Sequence, residues 1–195
     1  GKSSYYKITD PQTLKLNIEE EKTRIDYLAQ NLDEFNQKIK QGETQLISSP
    51  AINIYKGQAG VKQLLWNIVL SRAKLVIGYS PGQLEHVTDR EFAERWRAEF
   101  MARGMHNRII FNQPKPKEWS DVPHFLENNV EARTLDENKI KFERLTLIYD
   151  DVMMVCNLKT DQDQYGIEIR DQLLINSYKQ IFNFLWDHVA KELKG

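Results

Sequence analysis

The stretch AINIYKGQAGVKQLLWNIVLSRAKLVIGYSP, residues 51–81, decides how the chain is read. Ala51 to Tyr55 alternates in the two-residue period of a strand, and Lys56-Gly57 ends it. From Gly60 to Arg72 the period changes to that of a helix, with Val61, Leu64, Leu65, Ile68 and Val69 on one side. Lys74 to Tyr79 is a second strand, LVIGY at its heart, apolar on both faces and closed by Ser80-Pro81-Gly82. Strand, helix and buried strand in succession predict an α/β domain.

The pattern continues downstream. Asp89 is placed to cap a helix through Arg103, whose buried face is Phe92, Trp96, Phe100 and Met101, and Gly104 ends it. His106 to Asn112 is a further strand. Pro114, Pro116 and Pro123 mark an irregular stretch, and Val130 to Leu135 is a short strand. Arg144 to Tyr149, Val152 to Leu158 and Tyr165 to Ile169 are three more, the first two joined by a turn at Asp150-Asp151. Gln172 to Leu193 is a closing helix with Ile175, Tyr178, Ile181, Phe182, Leu185, Trp186 and Val189 inward. Three of the four tryptophans, Trp66, Trp96 and Trp186, sit at core spacing. The expected architecture is an α/β sandwich with a mixed sheet.

Upstream the chain changes character. Ile18, Ile25, Leu32, Ile39 and Leu46 recur every seven residues, and Leu14, Leu28 and Phe35 fall at the companion position, with Glu21 and Gly42 as misses. The flanking heptad positions include Lys22, Arg24, Asn31, Asn36 and Lys38. A stripe this narrow on a polar helix is the seam that two helices share in a coiled coil, whereas a helix packed on its own domain carries a wider one. The helix would be on the order of 50 Å long. Leu14, Ile18, Ile25, Leu28, Leu32, Phe35 and Ile39 are the expected seam of a homodimer.

Composition limits the function. Among 195 residues, Lys plus Arg is 27 and Asp plus Glu is 28, a formal charge of −1, which argues against a surface that is basic throughout and made for nucleic acid. A single cysteine, Cys156, excludes an internal disulfide framework and a cysteine-based zinc site; it lies mid-strand and reads as a buried, inert thiol. His86, His106, His124 and His188 have no metal-ligand spacing, so no metal or cofactor is expected. No apolar run reaches the roughly 20 residues of a membrane span, and no secretory signal opens the chain, so a cytoplasmic setting is expected. Neither a phosphate-binding glycine loop nor a nucleophile elbow occurs. Glu143 and Glu168, on neighbouring predicted strands, could meet as an acid–base or polyol-holding pair; solvated strand-face charges are the plainer reading. Trp119, in KPKEWSDVP, either closes over a ligand or pins its loop.

These residues, in this order, resemble the TrmB-like transcriptional regulators. The resemblance lies in a short strand from Lys2 to Ile8 with Asp10-Pro11, the heptad helix, Ile54-Tyr55-Lys56-Gly57, Gly166-Ile167-Glu168-Ile169, and Phe182-x-x-x-Trp186. It implies residues 1–10 as the remnant of a wing strand, 11–47 as a coiled-coil dimerisation helix, and 48–195 as an effector domain of phospholipase D-like type. It also implies DNA as a partner, through a winged helix absent from this chain, and a small-molecule effector such as a sugar. Gly1 in place of an initiator Met fits a part of a longer protein. Phospholipase D enzymes use H-x-K-x-x-x-x-D; at that spacing the chain has Glu143, Leu145 and Asp150, so Glu143 replaces the nucleophile and Leu145 the phosphate-binding lysine. The expectation is therefore a non-enzyme whose effector pocket is lined by Tyr79, Ser80, Trp119, His124, Glu143 and Glu168. The alternatives are a phosphodiesterase- or glycosidase-type hydrolase using Glu143, Asp150 or Glu168, with His124 as a possible helper, and an interaction module whose long helix binds another protein.

Overall fold

The computed structural model describes residues 15, 18–26, 50–112, 120–157 and 164–192. The chain divides into two units, Gly1–Ser49 and Pro50–Gly195. In the first, residues 18–26 are helical, and Ile18 and Ile25 are 60% and 61% exposed. Thr23 donates to the Glu19 carbonyl one turn back (2.8 Å), and Arg24 pairs with Glu21 at 3.6 Å. The wing-strand remnant at 1–10 and the seam positions Leu14, Leu28, Leu32, Phe35 and Ile39 lie outside the described residues.

Among its described residues the second unit forms one eight-stranded mixed sheet with helices on both faces. Its strands are β1 (Ala51–Lys56), β2 (Leu75–Ser80), β3 (His106–Phe111), β4 (Val130–Thr134), β5 (Leu145–Tyr149), β6 (Val152–Cys156), β7 (Tyr165–Arg170) and β8 (Lys191–Glu192). Its helices are α1 (Gly57–Leu70), α2 (Arg90–Ala102), α3 (Phe125–Asn129) and α4 (Gln172–His188). The strand order is β1-β7-β6-β5-β2-β3-β4-β8. β2, β3 and β4 are parallel, because α2 and α3 carry the chain across between them; every other pairing is antiparallel. This is the mixed α/β sandwich expected from the strand and helix signals.

Local chemistry explains the boundaries. Gly57, at φ 71°, turns β1 directly into α1 with its N–H donating to the Gln164 carbonyl (2.7 Å), so the helix starts three residues before the expected Gly60. Asp89 caps α2 by accepting from the Phe92 N–H (2.8 Å). The hydrogen bond from Lys62 and this capping bond hold the Asp89 carboxyl below its ordinary range. Asp150 takes the left-handed conformation (φ 45°) in the two-residue turn that pairs Tyr149 with Val152. The glycine of LVIGY is a packing requirement: a Cβ on Gly78 would stand 2.0 Å from the Thr146 carbonyl oxygen of β5.

The core is two layers. On one face α1, α2 and α3 bury Val61, Leu64, Leu65, Ile68, Trp96 and Phe100 against Val76, Leu145, Leu147 and Met154. On the other, α4 alone buries Ile175, Phe182, Leu185 and Trp186 against Ile77, Tyr79, Ile110, Ile148 and Met153. Phe182 stacks on Trp186 with centroids 5.5 Å apart, and Tyr79 lies 5.6 Å from Phe182. Trp66 packs at the rim of the first layer, whereas Trp96 and Trp186 are buried.

Two expectations for the closing helix are corrected. It stops at His188, and Lys191–Glu192 returns as β8 against Arg133 and Thr134 of β4. Tyr178 and Ile181, expected inward, are 36% and 51% exposed, because only the Ile175–Phe182–Trp186 side of the helix meets the sheet.

Candidate functional site

A recess opens where β3 and β4 end, with a cavity of about 350 Å³ lined by Asn112, Thr134, Leu135, Asp136, Lys139, Val189 and Lys191. The carboxyl ends of parallel strands are where open α/β sheets bind ligands, since the chain diverges there. Asn112, one residue past β3, builds the floor. Its amide donates to the Leu135 carbonyl (3.0 Å) and the Ile140 carbonyl (2.7 Å), and its oxygen accepts from the Phe142 N–H (2.6 Å). One side chain thus ties the exits of β3 and β4 to the entrance of β5. Asp136 accepts from the Asn138 backbone and side chain, both at 2.9 Å, and these bonds, with Lys139 and Lys191 nearby, keep its carboxyl below the ordinary range. The recess offers ammonium donors, a committed carboxylate and a hydroxyl, an inventory suited to a small polar ligand.

Beneath the opposite face lies a small cavity of about 50 Å³, bounded in part by Ser80, Arg97, Asn107, Leu145 and Leu147. Arg97 is 2% exposed. Its guanidinium forks onto Glu85 (2.6 and 2.8 Å) and also reaches Glu94 (2.8 Å). Burial works to raise the Glu85 carboxyl, but the hydrogen bond and charge of Arg97 outweigh it and hold Glu85 below its ordinary value. Glu94 also accepts from the Ser120 hydroxyl (2.8 Å) and the Asp121 N–H (3.1 Å), so the network anchors that segment to α2.

A third polar centre surrounds Glu168, which is 1% exposed on β7. Its carboxylate accepts from Asn67 (3.2 Å), Asn53 (3.5 Å) and Arg170 (3.2 Å). Asn67 donates in turn to the Tyr55 hydroxyl at 3.0 Å. Burial, and then the Glu168 charge, push the Tyr149 hydroxyl upward; this buried group has no hydrogen-bond partner among the described residues.

Of the six residues expected to line one effector pocket, the five that are described, Tyr79, Ser80, His124, Glu143 and Glu168, do not converge. Tyr79 lies under α4 against Phe142 and Phe182, and burial raises its hydroxyl to about 12. Ser80, the next residue of the same strand, lies on the opposite face, its hydroxyl bonded to the Gly82 carbonyl. His124, left-handed at φ 59°, is exposed and pairs with Glu127 at 3.0 Å. Glu143 is exposed ahead of β5 and pairs with Lys141 at 3.3 Å. Trp119 lies outside the described residues. The Glu143–Glu168 pair is corrected by register: Glu168 stands beside Met154, and Met154 beside Leu147, so the two carboxylates are separated by a whole strand and by four residues along it. Cys156 is buried, and burial pushes its thiol up to about 12. Sequence reasoning missed Asn112, Lys139 and Lys191; a strand ending in Asn112 at the exit of a parallel sheet was the available signal. Among the described residues there is no cluster of His, Cys, Asp and Glu able to hold a metal, and no helix long and apolar enough to cross a membrane.

No protein-family model matches the chain, and no curated protein matches it in sequence. Solved structures do. A phospholipase D family member, Nuc from Salmonella typhimurium, superposes with a TM-score of 0.52 at 12% identity, over 75% of this chain and 100% of that one. Phosphatidylserine synthase from Haemophilus influenzae superposes with a TM-score of 0.52 at 14% identity, over 75% of this chain and 41% of that one. TrmBL2, an archaeal chromatin protein with a novel mode of DNA binding, aligns over 98% of this chain and 74% of that one at 17% identity, with a TM-score of 0.49. The first two establish a phospholipase D-like fold. They also overturn the expectation of a non-enzyme: the scaffold is shared with a synthase and a phospholipase D family member, so Glu143 and Leu145 in two motif positions do not decide whether the chain has an activity.

Proposed function

We propose that the chain is the effector-sensing and dimerisation region of a TrmB-like DNA-binding transcriptional regulator. The observation that carries this reading is the heptad run ahead of a phospholipase D-like unit, with Ile18 and Ile25 a heptad apart and exposed on a helical segment. Two copies join through the seam, and DNA is contacted by a winged helix outside this chain. The effector occupies the recess at the ends of β3 and β4, where Asn112 couples three segments, and its binding shifts their packing. Hydroxyl-rich ligands such as sugars fit the mixed donors and acceptors of that recess. Coupling requires only that the ligand prefer one packing over another.

The test has two arms. Ile18→Asp with Ile25→Asp should weaken self-association by at least tenfold in sedimentation velocity while leaving the melting temperature of the α/β unit unchanged; an unaffected dimer refutes the seam. Thermal-shift screening against sugars, polyols, sugar phosphates and nucleotides should raise the midpoint for one class. Lys139→Ala with Lys191→Ala should remove that rise, and a rise that survives refutes the recess as the site.

A second reading, hydrolysis of phosphodiesters, is favoured by the fold shared with a phospholipase D family member. Turnover of a phosphodiester substrate that is lost in Glu143→Gln and retained in the seam variant would establish it.

A further inference from the structure

The charges around the recess at the ends of β3 and β4 are unequally committed. Three ionisable side chains line it, Asp136, Lys139 and Lys191. Asp136 is engaged in its own turn: its carboxylate accepts from the Asn138 N–H and side-chain amide, and its carbonyl accepts from the N–H groups of Lys139 (2.9 Å) and Ile140 (3.2 Å). Lys139 and Lys191 are exposed, and among the described residues neither ammonium has a carboxylate within ion-pair distance. Both charges still act on the Asp136 carboxyl, so the two lysines belong to one neighbourhood. The lining thus carries one uncompensated positive charge and two ammonium groups with three N–H donors apiece.

The two lysines come from different segments. Lys191 is half of β8, which is held to the sheet through Thr134 and Arg133 of β4 and follows directly on the end of α4. Lys139 stands in the turn that leads from β4 toward β5. An anion gripped by both joins the return from α4 to the entrance of β5.

We infer, resting on the reading of this recess as the effector site, that it takes a phosphate monoester of a small hydroxylated compound, and that the bound phosphate ties β8 to the Lys139 turn.

Three features select this class. A phosphate monoester carries about −1.5 to −2 charges at neutral pH, which matches two ammonium groups. Lysine binds phosphate as a point charge, whereas the planar fork that grips a carboxylate belongs to arginine, and no arginine lines the recess. The cavity of about 350 Å³ lies at the lower end of the ~300–1,000 Å³ usual for small-molecule sites, so the attached body is nearer a monosaccharide than a dinucleotide. The Thr134 hydroxyl is placed to meet its hydroxyls, and Leu135 and Val189 to pack on its carbons. Glu143, Leu145 and Asp150 take no part in the lining, so this anion site is separate from the positions that H-x-K-x-x-x-x-D occupies.

Isothermal titration of the full chain with glucose 6-phosphate and with glycerol 3-phosphate should show at least one ester binding at least tenfold tighter than its parent alcohol, and raising the salt should weaken it. Lys139→Gln and Lys191→Gln should each weaken that ester at least tenfold. Both side chains are exposed, so the melting temperature of the free variants should match wild type. Hydrogen exchange at residues 136–141 and 189–192 should slow with the ester and not with the alcohol. Esters that bind no tighter than their alcohols, or not at all, overturn the inference. So do succinate or inorganic phosphate binding as tightly as the best ester, and an ester held undiminished by both lysine variants. Val189→Trp, checked by circular dichroism, narrows the recess without changing its charge and separates the inference from the reading beneath it. A neutral sugar whose thermal shift is lost in Val189→Trp and kept in the lysine variants overturns the phosphate and leaves the recess as the effector site. An ester whose binding survives all three variants overturns the recess itself.

Discussion

Replacing Arg97 by Met tests the buried ionic network most directly. Met retains the length of the aliphatic stem, so little cavity is created and the loss is electrostatic. The guanidinium makes three bonds of 2.6 to 2.8 Å to Glu85 and Glu94, whose side chains are 15% and 18% exposed; its removal strands Glu85, while Glu94 keeps its bonds from Ser120 and the Asp121 N–H. Removing one partner of a buried ion pair costs about 3–5 kcal/mol. Some water reaches both carboxylates, which places the expected cost near the lower bound, about 3 kcal/mol. For a unit of this size that is a fall in melting temperature of about 6–12 °C. The pH dependence adds a second signature. Glu85 is held below its unfolded-state pKa by Arg97, so its contribution is present above the ordinary carboxylate range and is lost as pH falls through the folded value. The gap between wild type and Arg97→Met should therefore be full at pH 7 and narrow on acidification below about pH 4. Urea unfolding followed by tryptophan fluorescence at several pH values reads both. A loss under about 1 kcal/mol at pH 7, or a gap indifferent to pH, would refute the reasoning.

Other perturbations follow from single contacts. Gly78→Ala must push β5 away, since its Cβ would meet the Thr146 carbonyl at 2.0 Å; the expected loss is at least about 3 kcal/mol by denaturant titration, and a loss below about 1 kcal/mol would show that β5 yields easily. Glu168→Ala removes the shared acceptor of Asn53, Asn67 and Arg170 and should cost about 2–3 kcal/mol, with Glu168→Gln milder because it still accepts. The Cys156 thiol should resist a thiol reagent at pH 8 in the native protein and react at once in guanidinium. Its folded pKa is raised, so the associated stability is full below the unfolded value of about 8.5 and is lost as pH rises toward 12.

The strands were legible because Gly, Pro and Asp punctuate them and because their alternation is local. LVIGY, the Asp150-Asp151 turn and the Asp89 cap all stand where their residues indicate. What depends on partners was not legible. β8 is two residues long and exists only through Arg133 and Thr134. α3 spans five residues, too few to show a period. The apolar arc of α4 is wider than one neighbour can cover, and nothing local distinguishes the side that meets the sheet from the side bearing Tyr178 and Ile181. The candidate site failed for a related reason. Joining Glu143 to Glu168 requires strand order and register, which no single strand contains. Tyr79 and Ser80, by contrast, were separable in advance, since successive residues of a strand point to opposite faces.

The pairing of β1 with β7 has a consequence for biosynthesis. Ala51 waits for Arg170 before its strand has any ladder, so more than a hundred residues must be translated in between. The parallel block of β2, β3 and β4 draws on nearer neighbours and can assemble while the ribosome is still at work. During that interval the nascent segment AINIYK is an orphan strand rich in isoleucine, the kind of sequence that chaperones hold and that aggregates when they do not. Synthesis rate and holdase supply, more than final stability, should then govern how much of this protein reaches its native state.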